Sequence, residues 1–343
     1  MTKLYSVGLG VGTQNNKGEW LEVFFPQPLL KPDTGICTAI ETTLNYSGGN
    51  QTLGLSASQL ESLAAAIATD HPDLADLMIT LKTSKRPLVA VILETDDAPG
   101  SVPEGYLKLH LLSHRLVKPH ETNLNGLFGT LPNVAWTNMG AIDISELPAR
   151  QLQARLEGKV LSVDCVDKFP KMTNYVVPAG VRIAHTARVR LGAYIGEGTT
   201  VMHEGFVNFN AGTLGTSMIE GRISAGVIVG EGSDLGGGCS TMGTLSGGGN
   251  IVLSVGKESL IGANAGIGIP LGDRCIVESG LYITAGTKLA VLDDQNNEVQ
   301  TIKARDLAGK NDLLFRRNSM TGRVECKTNK SAIALNEELH ANN

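Results

Sequence analysis

The stretch "IAHTARVRLGAYIGEGTTVMHEGFV", residues 183–207, carries a branched aliphatic at every sixth position: Ile183, Val189, Ile195, Val201 and Val207. Six is neither the helical period nor the two-residue alternation of a half-buried strand. It fits a triangular β-coil of three flat faces, about 18 residues per turn, with one inward side chain per face. The period returns at Ile223, Val229 and Leu235 with Thr241 in phase, at Val255, Ile261 and Ile267, and at Leu271, Val277, Ile283 and Leu289. Small or turn-forming residues follow the aliphatics, as in "IGEGTT", "VGEGSD", "IGANAG" and "LGDRCI". Stacked coils bury a narrow column that no single coil buries alone, and residues 183–289 make roughly six of them. Spacing does not fix the hand of the coil, although parallel crossovers are right-handed as a rule.

Breaks in the register are where ligand-facing loops are expected. The phase slips by four residues between Val207 and Ile223, across "NAGTLGTSMIEGR". It slips by two between Thr241 and Val255, across "MGTLSGGGN", and by four between Ile267 and Leu271, across "GIP". The first break reads as an inserted loop. At its end, "SMIEGRISAG" (217–226) sets Glu220 and Arg222 two positions apart among residues poor in charge. A carboxylate there suits a general base for an amine, or a nucleophile toward an activated acyl carbon. A guanidinium suits a substrate carboxylate. The plain alternative is a solvated charge pair at a coil corner.

Other signals are weaker. His185 and His203 are one coil apart and stack on one face, but no third histidine completes a metal site. "SDLGGGCSTMGTLSGGG" offers backbone N–H groups to an extended polar ligand, and Cys239 within it reads as a small packing residue without a histidine partner. "LLFRRNSMTGRVECKTNK" gathers Arg316, Arg317, Arg323, Lys327 and Lys330 into a basic patch suited to phosphates or an acidic neighbour. Lys257, Arg274 and Lys288 extend it over successive coils.

The bulk numbers agree with a reduced, non-membrane protein. The 343 residues carry a formal net charge of -5, which argues against a general polyanion binder. Five scattered cysteines without a CxxC pair fit a reducing compartment. No window reaches the roughly 18 apolar residues a spanning helix needs, and the start reads as a strand, not a leader. Glycine numbers 41, well above ordinary usage, and concentrates from Gly180 onward, where the coil needs corners.

Residues 1–118 read as an α/β domain. "KLYSVGLGVGT" and "EWLEVFFPQP" form two strands joined by a hairpin at "QNNKG". "GLGVGT" is not a phosphate loop, because a hairpin follows it where a helix would be required. "SASQLESLAAAIATD" reads as a helix capped by Ser58, with Leu60, Leu63, Ala64 and Ile67 on its inner face. "RPLVAVILETD" reads as a buried strand, and "PEGYLKLHLLSHRLVK" as an amphipathic helix bearing His110 and His114 as ordinary helix residues. Residues 119–176 read as a connector with a long loop and a helix in "DISELPARQLQARLEG". Residues 177–292 form the coil and 293–343 a C-terminal extension.

The long motifs "VMHEGFVNFNAGTLGTSMIEGRISAGVIVGEGSDLGGGCS" and "SLIGANAGIGIPLGDRCIVESGLYITAGT", with "LYSVGLGVGT" near the start, resemble the long bacterial form of the tetrahydrodipicolinate N-succinyltransferase family. The resemblance implies a mainly β fold, a left-handed parallel β-helix of hexapeptide repeats behind an N-terminal α/β domain. It implies a cytoplasmic homotrimer with active sites between subunits, serving diaminopimelate and lysine synthesis, with neither nucleic acid nor membrane as a partner. Succinyl-CoA is the implied co-substrate, its acyl group passing to the amine of the hydrated, ring-opened substrate. It assigns Glu220 as the catalytic carboxylate, through an acyl anhydride. Arg222, Gly237, Ser240, Ala263, Glu278, Ser279 and Gly286 are implied to bind substrate or acyl-CoA. Glu204 is implied as a ligand of Mg2+ at the trimer axis, with Ala187 standing where a second carboxylate aligns. The general-base route for Glu220, a related acyltransferase of other specificity, and a non-catalytic β-helix assembly protein stay open at the level of residues.

Overall fold

The computed structural model describes residues 3–244 and 251–328; Lys330 and the glycines at 247–249 lie outside the described residues. The chain separates into two compact units. One holds Met1–Val117, Glu121–Pro170 and Asn174–Val176; the other holds Lys118–His120, Lys171–Thr173 and Val177–Asn343.

In the first unit, Ser6–Gln14 and Trp20–Phe24 pair antiparallel as the expected hairpin, and Leu88–Leu93 pairs with the other edge of Ser6–Gln14. The glycines of "GLGVGT" are there for close approach. A Cβ on Gly8 would lie 2.6 Å from the Phe25 ring, and one on Gly12 would lie 2.3 Å from Glu22 O. The helix Ala57–Ile67 buries Leu60, Leu63, Ala64 and Ile67 as expected, but its cap is Ser56, not Ser58. Ser56 has extended backbone and accepts from Gln59 N, while the Gln59 side chain returns to Ser56 N, a full capping box. The helix Val102–Ser113 is buried on nearly every side instead of being amphipathic. Its fully buried Lys108 spends its three donors on Asp96, Asp97 O (2.6 Å) and Asn123 O (3.0 Å). His110 Nδ1 donates to Tyr106 O, its Nε2 accepts from Phe25 N, and burial pushes its pKa down to about 3. A neutral, doubly occupied imidazole of this kind is a packing residue, as the sequence reading has it. A three-stranded antiparallel sheet of Gly140–Asp143, Val134–Thr137 and Val163–Asp167 and the helix Leu147–Leu156 also belong to this unit.

The second unit is the left-handed parallel β-helix. Its first face stacks Ala193–Ile195, Ala211–Thr213, Ile228–Val229 and Ser254–Val255. The second face stacks Arg182–Ile183, Thr199–Val201, Ser217–Ile219, Asp234–Leu235, Leu260–Ile261 and Ile276–Val277. The third stacks Phe206–Val207, Arg222–Ile223, Ser240–Thr241, Gly266–Gly268 and Tyr282–Thr284. Every residue assigned to the column is buried except Ile183, half-exposed at the open first coil. At the far end, Leu313–Arg317 adds in parallel to Ile276–Val277 and lays Phe315 over the column as its cap.

Two breaks in the period have a different cause from the one expected. No loop is inserted between Val207 and Ile223: Thr213 and Ile219 hold the two missing inward positions and are fully buried. Thr213 escaped the aliphatic pattern because its hydroxyl is satisfied inside the coil, 2.7 Å from Thr199 Oγ1. The register shift sits wholly in one corner, where Ile219 and Ile223 are consecutive inward residues. That corner is shorter by two residues than a six-residue repeat. A second shortened corner links Ile267 to Leu271. The true insertion follows Thr241, where Thr244 and Val252 form an antiparallel bridge at its base.

Because Ile261 is fully buried in the column, Ile261→Ala is expected to cost about 2–5 kcal/mol. Ile183→Ala, at the open end, is expected to cost much less. Denaturant unfolding of both variants at one chain concentration checks this; equal costs would contradict a column that tightens inward.

Candidate active site

The corner between the second and third faces is a continuous ridge. At four levels it is a four-residue turn closed by a backbone bond: Gly205 N to Met202 O, Cys239 N to Gly236 O, Ala265 N to Gly262 O and Leu281 N to Glu278 O. In the last three, Gly238, Asn264 and Gly280 take the left-handed conformation at the third position. At Glu220 the corner has lost two residues, so the closing turn is missing. The backbone is held instead by its neighbours: Glu220 N donates to Leu235 O (2.8 Å), Arg222 N to Cys239 O (2.9 Å), and Gly221 O accepts from Phe206 N (3.0 Å).

This short path explains the glycine between the charges. A Cβ on Gly221 would lie 2.3 Å from Cys239 Sγ and 2.7 Å from Cys239 O, so no side chain fits. With Gly221 tucked inward, Glu220 and Arg222 must both turn outward. Glu220 is half-buried, over Gly237: a Cβ on Gly237 would come within 3.4 Å of Glu220 Oε2. Arg222 Nη2 donates to Ser240 Oγ at 2.6 Å, down the third face. Thr241, buried beneath, donates to Arg222 O (3.2 Å) and accepts from Ser224 N (3.1 Å), which steadies the strand that presents the guanidinium.

The stacking brings most of the sequence candidates together. Backbone bonds run from Glu220 to Leu235, Gly236 to Ile261, Gly262 to Val277 and Glu278 to Phe315, so Glu220, Gly237, Ala263, Glu278 and Ser279 share one ridge on successive coils. Arg222 and Ser240 are register partners where the third face begins. Gly286 lies beyond the opposite edge of that face, in the turn after Tyr282–Thr284, and is not brought to the ridge. Tyr282, which the sequence reading did not single out, lays its ring against Gly266 (2.1 Å from a Cβ built there), the register partner of Ser240. The signal for it was the coil register itself, once the short corner is counted.

Cys239 is a packing residue: burial first, then the Glu220 charge, pushes its thiol up to about 12. Three arginines of the basic set are neutralised by acids. Arg316 pairs with Glu325 (2.9 Å), Arg323 makes a two-pronged bond to Glu298, and Arg274 does the same to Asp312. Arg317 N donates to Glu278 Oε2 (2.6 Å), tying that hairpin to the ridge.

Glu204 lies on the same ridge one coil before Glu220. Its oxygens accept from His203 Nδ1 (2.7 Å) and Arg188 Nη2 (2.6 Å), and His203 packs edge-on to His185 at 4.9 Å. The His203 bond and the Arg188 charge hold its carboxyl below the usual range. Among the described residues, no three His, Cys, Asp or Glu groups are placed to hold a metal ion. A carboxylate already neutralised by a guanidinium, opposite an alanine at 187, does not make a Mg2+ site within one chain, and no chemical step is assigned to a metal.

The six-residue coil with an acid and an arginine thrown outward at a shortened corner defines the class of hexapeptide-repeat acyltransferases. Residues 252–285 match the family model for the hexapeptide repeat of succinyl-transferase, and residues 131–171 match that for the tetrahydrodipicolinate N-succinyltransferase middle region. The chain belongs to the 2,3,4,5-tetrahydropyridine-2,6-dicarboxylate N-succinyltransferase family. It is 68% identical over 340 residues to the member from Pseudomonas aeruginosa, covering 99% of each chain, and 62% identical over 341 residues to that from Vibrio cholerae, again covering 99% of each. The solved structure of a 2,3,4,5-tetrahydropyridine-2-carboxylate N-succinyltransferase from Campylobacter jejuni superposes with a TM-score of 0.89 at 33% identity, covering 97% of this chain and 94% of that one.

Gly221→Ala is expected to lower stability by about 1–3 kcal/mol through overpacking, whereas Gly237→Ala, with room for its methyl, should be close to neutral in unfolding. In the native protein a thiol reagent at pH 8 should modify exposed Cys165 quickly and Cys239 barely, since a thiol at about 12 is ionised there to about one part in ten thousand. Fast labelling of Cys239 would contradict its packing role.

Proposed function

We propose that the chain catalyses succinyl transfer from succinyl-CoA to the amine of hydrated, ring-opened tetrahydrodipicolinate, giving N-succinyl-2-amino-6-oxopimelate and CoA. Near-full-length identity to named N-succinyltransferases carries this reading. It is joined by a half-buried carboxylate and an exposed guanidinium turned outward at one register shift. The thioester already activates the acyl carbon, so the chain must supply a group to receive the acyl or the proton, and a cation for a dicarboxylate.

Glu220 takes the first role. In the anhydride route a Glu220 oxygen attacks the thioester carbonyl and the C–S bond breaks, the CoA sulfur taking up a proton; the substrate amine then attacks the succinyl carbonyl of the anhydride, loses a proton and releases the Glu220 carboxylate. In the general-base route Glu220 removes the amine proton as nitrogen attacks the thioester directly, the C–S bond breaks, and the CoA sulfur leaves and takes up a proton. Arg222, with Ser240 beside it, takes a carboxylate of substrate or succinyl group. Gly237, Ala263 and Ser279 leave the ridge low enough for an extended acyl-CoA to lie along it, with Glu278 as a further contact; Gly286, off the ridge, is left without a role in this arrangement.

A corner of a three-faced coil is convex, and burying a reacting amine needs a second surface. We therefore assign a homotrimer in which a neighbouring subunit closes the ridge. We place the enzyme in the cytoplasm: among the described residues no helix is long and apolar enough to cross a membrane, the five cysteines form no disulfide, and the donor is a CoA thioester.

Glu220→Gln is expected to lower turnover by about two to four orders of magnitude with the fold intact, measured by CoA thiol release with succinyl-CoA and, as a specificity control, acetyl-CoA. Normal turnover in that variant would remove Glu220 from the mechanism. Arg222→Ala should raise KM for the dicarboxylate roughly tenfold or more, and Gly237→Ala should lower activity without lowering stability. Rapid-quench intact mass with succinyl-CoA alone separates the two routes, because only the anhydride adds one succinyl unit to the chain.

A further inference from the structure

The first compact unit holds a cleft of ≈ 290 Å³ lined by both of its sheets, and nothing in the transferase chemistry uses it. Glu22 reaches it from the strand Trp20–Phe24, Arg86 from the turn before Leu88–Leu93, and Trp136 and Asp164 from the three-stranded sheet. Glu22 is 8% exposed, although it sits on an edge strand where an acid has every opportunity to face water. Its Oε1 accepts from Thr13 Oγ1 (2.5 Å) and its Oε2 from Tyr175 Oη (3.1 Å). Arg86 Nη1 donates in turn to Thr13 Oγ1 (3.0 Å). An anion and a cation are thus fixed one hydroxyl apart at the wall of a cavity, with Phe24 and Trp136 as apolar lining.

We propose that this cleft binds a small zwitterionic α-amino acid, its ammonium on Glu22 and its carboxylate on Arg86. The argument is one of matched spacing. In an α-amino acid the two charged groups are separated by a single carbon, and here a single hydroxyl, that of Thr13, bridges the two complementary charges. A guanidinium binds a carboxylate through paired N–H groups, and four of its five donors are not used on Thr13. A carboxylate with two donors still has lone-pair directions for an ammonium. The cavity is of the size that encloses a small ligand, and its few polar groups converge while aromatic rings line the rest. Burial raises the Glu22 carboxyl above its ordinary value, which Thr13, Tyr175 and Arg86 only partly offset, so an arriving ammonium would relieve a charge the fold leaves poorly solvated. The site is separate from the Glu220 ridge, and its occupancy is read independently of succinyl transfer.

Titration calorimetry of the full chain, with L-alanine, L-aspartate and L-lysine as probes, tests the proposal. Acetate and methylamine serve as single-charge controls. Saturable binding of at least one zwitterion, at least tenfold tighter than either control, is expected. Arg86→Ala and Glu22→Gln should each weaken it tenfold or more. Arg86 is exposed, so its variant reports even if the Glu22 variant fails to fold. No saturation by any of the three amino acids up to about 10 mM, equal binding of the controls, or unchanged binding in Arg86→Ala would each overturn it.

Discussion

Everything in the coiled unit follows from one packing constraint: each face of each coil must place one side chain inward, directly over its counterpart in the coil before. The column of Val, Ile and Leu is buried only by stacking, so the register is strict along the whole coil. Corners, by contrast, are under no such rule. They may gain residues, as after Thr241, or lose them, as between Ile219 and Ile223, provided the next inward residue returns to its column. The proposed site sits where that freedom is used. Removing two residues abolishes the closing turn, pulls Gly221 against Cys239, and leaves the flanking Glu220 and Arg222 nowhere to point but outward.

Polar residues inside the coil serve the same end. Thr199 and Thr213 satisfy each other within the column, and Thr241 ties together the strand edges around Arg222. A buried hydroxyl without partners would be costly; with them it fixes how one coil sits on the next, which an aliphatic side chain does less specifically. The neutral His110 and the fully partnered Lys108 in the other unit play a comparable part in a helix sealed from solvent on nearly every side.

Much of this architecture was legible in residues alone. The period of six named the column correctly, and the glycine-rich corners followed from it. The break in that period led to Glu220 and Arg222, although its cause was misread. Threonine at 213 hid one inward position, so a shortened corner passed for an inserted loop. Similar near-misses have local causes: Ser56 and Ser58 are both capping residues, and only backbone geometry chooses between them. The basic C-terminal run looked open to anions because sequence does not show Glu325, Glu298 and Asp312 folding back to meet it.

The sequence by itself determined the periodic core, the division between an α/β segment and a coil, and the identity of the two charges at the break. These depend on spacing along one strand of chain, which folding preserves. Tertiary structure alone decided that Gly237, Ala263 and Ser279 stand in line with Glu220 while Gly286 does not, that Arg222 reaches Ser240, and that Glu204 is already held by Arg188. Those are relations between successive coils of 16, 18 or more residues. Their alignment is set by how many residues each corner keeps, a quantity known only once the inward column is seen in place.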